Sequence, residues 1–163
     1  SQLAKLWKKA PANYRKDERV VKHYSEILFK FDQKEAAAKS IESALEKSWS
    51  DSLIIHYGEL DFGSSQKQLH QAGNWLKARP GNAKLLLTLG RLSLRSELWG
   101  QASEYFQASI QAAPSADAYG ELGRLLKSLG KIEEAEENQQ KFIALLGAEL
   151  PELPLPSITD KNL

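Results

Sequence analysis

The sequence predicts an all-α protein, and three observations support this prediction. Leucine and alanine dominate the 163 residues with 25 and 19 copies, whereas valine, isoleucine and threonine together number 12. Leucine and alanine favour helices, and the scarce β-branched residues are those that favour strands. A sequence pattern recurs after 33 residues, which is about the length of two helices and their turns. Proline follows successive apolar segments, as at Pro80 and Pro114, where it would end a helix.

Composition excludes several classes of function. The chain carries 22 Lys and Arg against 21 Asp and Glu, so its formal net charge is +1. Such a balance gives no reason to expect general binding to nucleic acid or to an anionic membrane. The absence of cysteine removes disulfides, zinc–thiolate sites and iron–sulfur clusters. No apolar run reaches the roughly 18–20 residues that a membrane helix needs.

The clearest repeat relates two segments by a shift of 33 residues. The run LLTLGRL at 86–92 corresponds to YGELGRL at 119–125, and LWGQA at 98–102 corresponds to KIEEA at 131–135. Glycine on the first helix and alanine on the second allow two antiparallel helices to approach closely. This is the pattern of the tetratricopeptide repeat. The residues that carry the signature are Leu86, Leu89, Gly90, Trp99, Ala102, Phe106, Pro114, Tyr119, Leu122, Gly123 and Ala135.

Weaker copies upstream extend the pattern to an α-α superhelix of about four helix pairs with a leading helix. The expected repeats are at about 17–48, 51–80, 83–114 and 116–147, after a leading helix at 1–10. In the two upstream repeats the apolar spacing predicts helices at 17–30, 33–47, 51–61 and 65–78. The leading helix would be the second helix of an earlier repeat.

The segment 148–163 is expected to be a proline-rich tail. The run ELPELPLP at 149–156 cannot be helical, because proline lacks an amide donor and fixes φ. Solenoids usually end in a polar capping helix. We expect the tail leucines to replace such a helix by packing on the last helix near Phe142, or on a neighbouring molecule.

The first helices of stacked repeats line a concave face, and helical spacing predicts which residues occupy it. Basic residues outnumber acidic ones there, which favours an extended protein segment carrying carboxylates. The alternative is that helix surfaces of this composition simply alternate charge. In the second repeat the spacing places Leu53, Ile54, Tyr57 and Leu60 on this face. We expect the partner-binding groove to contain Lys22, His23, Tyr57, Lys84, Leu87, Arg91, Arg95, Glu121, Arg124 and Lys127.

Nothing in the sequence points to catalysis. The chain contains no P-loop, GxSxG or HExxH motif. Its three histidines fall in separate predicted helices, where ordinary surface or half-buried positions explain them better than a metal or haem ligand does. We therefore predict a protein-binding module with no enzymatic activity, no metal, no cofactor and no nucleic-acid partner.

The chain resembles the C-terminal tetratricopeptide region of the HemY family at four short motifs. These are LWGQA at 98–102 followed by Tyr105-Phe106 and Ala108-Ser109, LWKKAP at 6–11, Tyr57-Gly58, and LPLP at 153–156. The resemblance implies a domain of a bacterial inner-membrane protein associated with haem biosynthesis, preceded by two transmembrane helices. A chain that starts at Ser1 fits a fragment of such a protein. The cytoplasmic side of the membrane is the favoured location of the domain.

Two alternatives to a protein-binding scaffold stay open. In the first, the domain handles a porphyrin, whose carboxylates would pair with Arg91, Arg95 or Arg124 while Tyr57 or Leu87 meets the ring. In the second, the domain forms a homo-oligomer through its C-terminal end or tail.

Overall fold

The computed structural model describes residues 1–157, and all regular secondary structure in that part of the chain is helical. Each expected helix of the upstream repeats lies within two residues of its predicted bounds. The helices are α1 (Gln2–Lys9), α2 (Glu18–Lys30), α3 (Lys34–Lys47), α4 (Asp51–Glu59), α5 (Ser65–Ala78), α6 (Ala83–Arg95), α7 (Trp99–Ala112), α8 (Ala116–Ser128) and α9 (Ile132–Gly147).

These helices form two compact units. The first is Ser1–Pro114 with α1 to α7, and the second is Ser115–Leu163, which contains α8 and α9 and is described as far as residue 157. Every helix within 1–157 is too short or too polar to cross a bilayer. The expected division between a solenoid and a tail at residue 147 stays a prediction, and the tail beyond 157 lies outside the described residues.

The first helix of each pair begins at a polar capping residue. Asp17, Ser50, Asn82 and Ser115 each accept a hydrogen bond from a backbone N–H group two or three residues later. Short polar side chains at this position satisfy amide donors that the first turn leaves unpaired. Because the caps recur every 32 or 33 residues, they define the same register in all four repeats.

Glycine lies eight residues after three of these caps, where helices approach most closely. A Cβ atom added to Gly58 would lie 2.8 Å from Thr88 Cγ2. A Cβ atom added to Gly90 would overlap the ring of Phe106 on α7. In the second unit Gly123 plays the same part on α8, where an added Cβ would lie 3.1 Å from the Gln139 side chain on α9. Glycine at this position therefore allows the close approach of neighbouring helices.

The second repeat departs from the pattern at one buried residue. The fourth residue of α3, α7 and α9 is a buried alanine, whereas the fourth residue of α5 is Gln68, which is 2% exposed. Its Nε2 donates to Tyr57 O at 2.9 Å and to Leu60 O at 3.2 Å, and its Oε1 accepts from Phe62 N–H at 3.1 Å. The Gln68 amide thus joins α5 to the last turn of α4 and the residues that follow it.

Aromatic side chains also connect α4 and α5. The ring of Trp75 lies edge-on to that of Tyr57 with centroids 5.4 Å apart, and Trp49 packs edge-on to Trp75. At the other end of the first unit, Trp7 of α1 stacks on Tyr24 of α2 at 4.1 Å. Of the four tryptophans, Trp99 is the most exposed, at the first residue of α7.

Candidate partner-binding face

The first helices α2, α4 and α6 lie side by side in the first unit. Ser25 Oγ on α2 lies 3.0 Å from His56 Nε2 on α4. Thr88 Oγ1 on α6 donates to Ile54 O on α4 at 2.8 Å. In each case a residue six positions after its cap contacts the first helix of the preceding repeat. The small residues Ser25 and Gly58, eight positions after their own caps, leave space for this contact. The three helices therefore form one continuous surface, which we call the first-helix face.

A depression of about 390 Å³ lies between α2 and α4 on this face. Charged side chains of both signs surround it, and the excess of basic residues expected from the sequence is smaller here because Glu59 joins Glu26. The prediction missed Glu59, because it placed the second repeat one residue out of register. The position of the Ser50 cap could have revealed this. The lining residues are Lys22, Glu26, Phe29, Lys30, His56, Glu59 and Leu60.

His56 forms the inner wall of the depression and is 3% exposed. Ser25 uses its hydroxyl proton to donate to Lys22 O at 2.7 Å, so it accepts from His56 Nε2–H. The other ring nitrogen, Nδ1, lies 4.0 Å from Glu59 Oε2. Burial lowers the pKa of His56, and nearby Lys22 lowers it further, against the opposing effect of Glu26 and Glu59.

The free energy of unfolding is expected to fall as the pH drops below the ordinary histidine pKa of about 6.5. Because folding lowers the pKa of His56, the unfolded chain binds the proton more readily, and stability is lost as pH falls through the folded pKa. Urea unfolding between about pH 7 and pH 5 measures this slope. His56→Gln should flatten it, whereas His23→Gln, at an exposed position of α2, should leave it unchanged. Equal slopes in both variants would contradict the assignment.

Arg95 caps α4 from the end of α6. Its guanidinium donates to Gly58 O at 3.1 Å, Glu59 O at 3.3 Å and Leu60 O at 3.4 Å. Burial lowers the pKa of Arg95, Asp61 raises it, and nearby Arg91 lowers it. This corrects the expectation that Arg95 serves a partner, because its donors satisfy carbonyl groups that the end of α4 leaves unpaired.

Tyr57 and Leu87 are also corrections, since both are fully buried. The Tyr57 hydroxyl donates to Glu42 Oε1 on α3 at 2.7 Å, and burial raises its pKa. Leu53 and Ile54 are likewise core residues rather than face residues, because the true register of α4 turns them inward. Neither Tyr57 nor Leu87 can present a surface to a porphyrin ring, so that alternative loses the ring contacts it needs.

The remaining expected groove residues lie in both units. In the first unit Lys22 and Arg91 are half-buried, and His23 and Lys84 are exposed. In the second unit they lie on α8, where Arg124 Nη2 contacts Glu121 Oε1 at 2.6 Å and Lys127 is exposed. A single groove that joins the two sets stays a prediction. Among residues 1–157 no group of three histidine or acidic side chains is placed to hold a metal ion.

Comparison with known proteins identifies the fold. The family model for the tetratricopeptide repeat matches residues 116–145, which cover α8 and most of α9. The fold is that of tetratricopeptide repeats. The predicted fold class, all-α and built from helix pairs of this type, is thereby confirmed.

Solved structures of MamA share this architecture. MamA from Desulfovibrio magneticus RS-1, from residue 41 to its end, has a TM-score of 0.58 at 14% identity over 82% of this chain and 78% of that one. Another MamA structure has a TM-score of 0.60 at 17% identity over 91% and 85%. A third, of MamA AMB-1, has a TM-score of 0.58 at 16% identity over 82% and 81%. Such identities concern the fold alone. No curated protein matches the chain in sequence.

Proposed function

We propose that this chain is a non-catalytic scaffold that binds an extended segment of a protein partner on the first-helix face. The observation that carries the proposal is the bonding of α2, α4 and α6 into one surface through Ser25–His56 and Thr88–Ile54. These bonds are buried, so the surface exists before a partner arrives. Because the surface is preformed, binding does not lose free energy in ordering it.

The chemistry of the depression defines the partner segment. Phe29 and Leu60 offer apolar surface for one side chain, and the two lysines of the lining offer partners for carboxylates. Glu26 and Glu59 in the same depression disfavour a purely acidic peptide. The best ligand is therefore an apolar residue flanked by carboxylates that can reach Lys22 and Lys30. Lys84, exposed at the start of α6, would extend the basic surface along the unit.

We infer a cellular setting for this scaffold from its resemblance to the HemY family. In that setting the domain is attached to the bacterial inner membrane through a segment outside this sequence, on the cytoplasmic side. It would recruit or organise proteins of haem biosynthesis at the membrane surface. The motifs LWGQA at 98–102 and LPLP at 153–156 support this part of the proposal.

Reversing two charges of the depression is expected to weaken capture of the partner several-fold without unfolding the domain. The variant is Lys22→Glu with Lys30→Glu, and the matched control is Lys47→Glu with Lys77→Glu, at exposed positions in the last turns of α3 and α5. Surface charges contribute little to stability, so helical circular dichroism should be unchanged in both. Proteins captured from bacterial membranes would be identified and quantified by mass spectrometry.

The outcome separates the parts of the proposal. Loss of the same proteins in the first variant and retention in the control supports the first-helix face. Equal recovery in both variants would contradict it. If the captured proteins are unrelated to haem biosynthesis but are lost in the first variant, the result supports binding at the first-helix face and overturns the proposed cellular setting.

A further inference from the structure

A groove of about 510 Å³ runs between α8 and α9 in the second unit. Its apolar part is formed by Gly120, Phe142 and Ile143, and the Ile143 side chain is 65% exposed. A Cβ atom added to Gly120 would lie 3.1 Å from Phe142 Cδ2, so glycine is what lets the ring lie against α8. The rim carries Asp117, Glu121 and Arg124, of which Glu121 and Arg124 are in contact at 2.6 Å. This surface has the shape and polarity to take a short apolar segment.

The same unit carries a segment of matching chemistry. Residues 148–157 are not helical, and the side chains of Leu150, Leu153 and Leu155 are 70%, 69% and 87% exposed. Three prolines in the run ELPELPLP favour a polyproline II conformation, which repeats every three residues. Leu150 and Leu153 then share one side of the segment. Extended segments of this kind are preformed ligands for apolar grooves.

The segment is not packed in the groove of its own molecule. Beyond the end of α9, Ala148 N–H donates to Ala144 O, Glu149 N–H to Leu146 O, and Leu150 N–H to Gly147 O. These turn hydrogen bonds extend as far as Leu150, and the prolines that follow stiffen the chain. No residue of 148–157 lines the groove, and the three leucines of the segment are exposed. This contradicts the expected packing of the tail leucines on their own last helix.

We propose that residues 150–155 of one molecule occupy the groove between α8 and α9 of a second molecule, and that the exchange is reciprocal. Because the exchange is reciprocal, a two-fold axis relates the two contacts and the assembly closes as a dimer. Leu150 and Leu153 would lie against Phe142 and Ile143 of the other copy. Glu149 or Glu152 of the ligand would then reach Arg124, whose side chain is 75% exposed.

The mass of the intact chain in solution tests the dimer. Light scattering after size exclusion, from roughly 1 to 300 µM, should show a rise from the monomer mass of 18.2 kDa towards twice that value. A variant combining Leu150→Ser, Leu153→Ser and Leu155→Ser should stay monomeric, and so should Ile143→Asp. Ile132→Asp is the matched control, because Ile132 is half-exposed on α9 outside the groove, and this variant should still dimerise.

A peptide of residues 148–157 tests the groove itself. Fluorescence anisotropy should show the labelled peptide binding to the triple serine variant, and adding Ile143→Asp should weaken that binding by about tenfold or more. A chain that is monomeric at all concentrations while its serine variant binds the peptide would mean that the groove is filled within one molecule. That result would overturn the exchange, as would absence of peptide binding or a dimer that survives Ile143→Asp.

Discussion

Gly90→Leu is expected to lower the free energy of unfolding by about 3 kcal/mol or more, the upper part of the range for an overpacked core. The cause is the crossing of α6 and α7, where even a Cβ atom at Gly90 would overlap the ring of Phe106. Phe106 is fully buried and cannot swing into solvent without leaving a cavity. Thermal unfolding should show a fall in Tm of roughly 6–12 °C for a chain of this length.

Gly100→Leu is the matched control for this variant. Gly100 lies in the first turn of α7, is exposed, and has open space around an added Cβ. Leucine there should be neutral or slightly stabilising, because it has a higher helix propensity than glycine. A Gly90→Leu protein that melts within a few degrees of the parent would show that α6 and α7 do not cross at this glycine.

Gln68→Leu is expected to cost about 3 kcal/mol, although leucine is apolar and the site is buried. The substitution leaves Tyr57 O and Phe62 N–H without the partner that the Gln68 amide supplies, whereas Leu60 O keeps its hydrogen bond from Arg95. Each buried backbone group left unsatisfied costs about 1–3 kcal/mol, and the gain from burying an apolar side chain offsets part of the sum. Urea unfolding followed by circular dichroism would measure the loss.

Two further variants distinguish the hydrogen bonds from side-chain volume. Gln66→Leu, on the exposed side of α5, should have little effect. Gln68→Glu keeps an acceptor for Phe62 N–H but sets a carboxylate against two carbonyl oxygens, so it should be at least as destabilising as leucine at neutral pH. Stability equal to that of the parent in both Gln68 variants would contradict the bridging role.

Local signals in the sequence were sufficient to place the helices. Caps such as Ser50 and Asn82 act on amide groups within three residues, and the apolar spacing acts within a turn or two. The signature glycines and alanines of the third and fourth repeats lie at close helix contacts or in buried positions, because their surroundings repeat the pattern. The all-α fold and the tetratricopeptide architecture followed from these signals alone.

The candidate site was less predictable, because its register depends on distant residues. The direction in which α4 turns Tyr57, and the depth at which His56 lies, depend on α2, α3 and α6, which are 15 or more residues away. The assignment of Arg95 failed for the same reason. Helical spacing in the sequence predicts that Arg95 faces a partner, whereas in the fold its guanidinium binds carbonyl groups at the end of α4.

The amino-acid sequence by itself determined that this chain is built from helix pairs and where the helices of the upstream repeats lie. Tertiary structure alone decided which side chains remain for a partner, because that depends on pairs such as Ser25–His56 and on Gln68 in the place of an alanine. Helix formation is governed by interactions between near neighbours, whereas burial is decided by whichever helix packs across the gap.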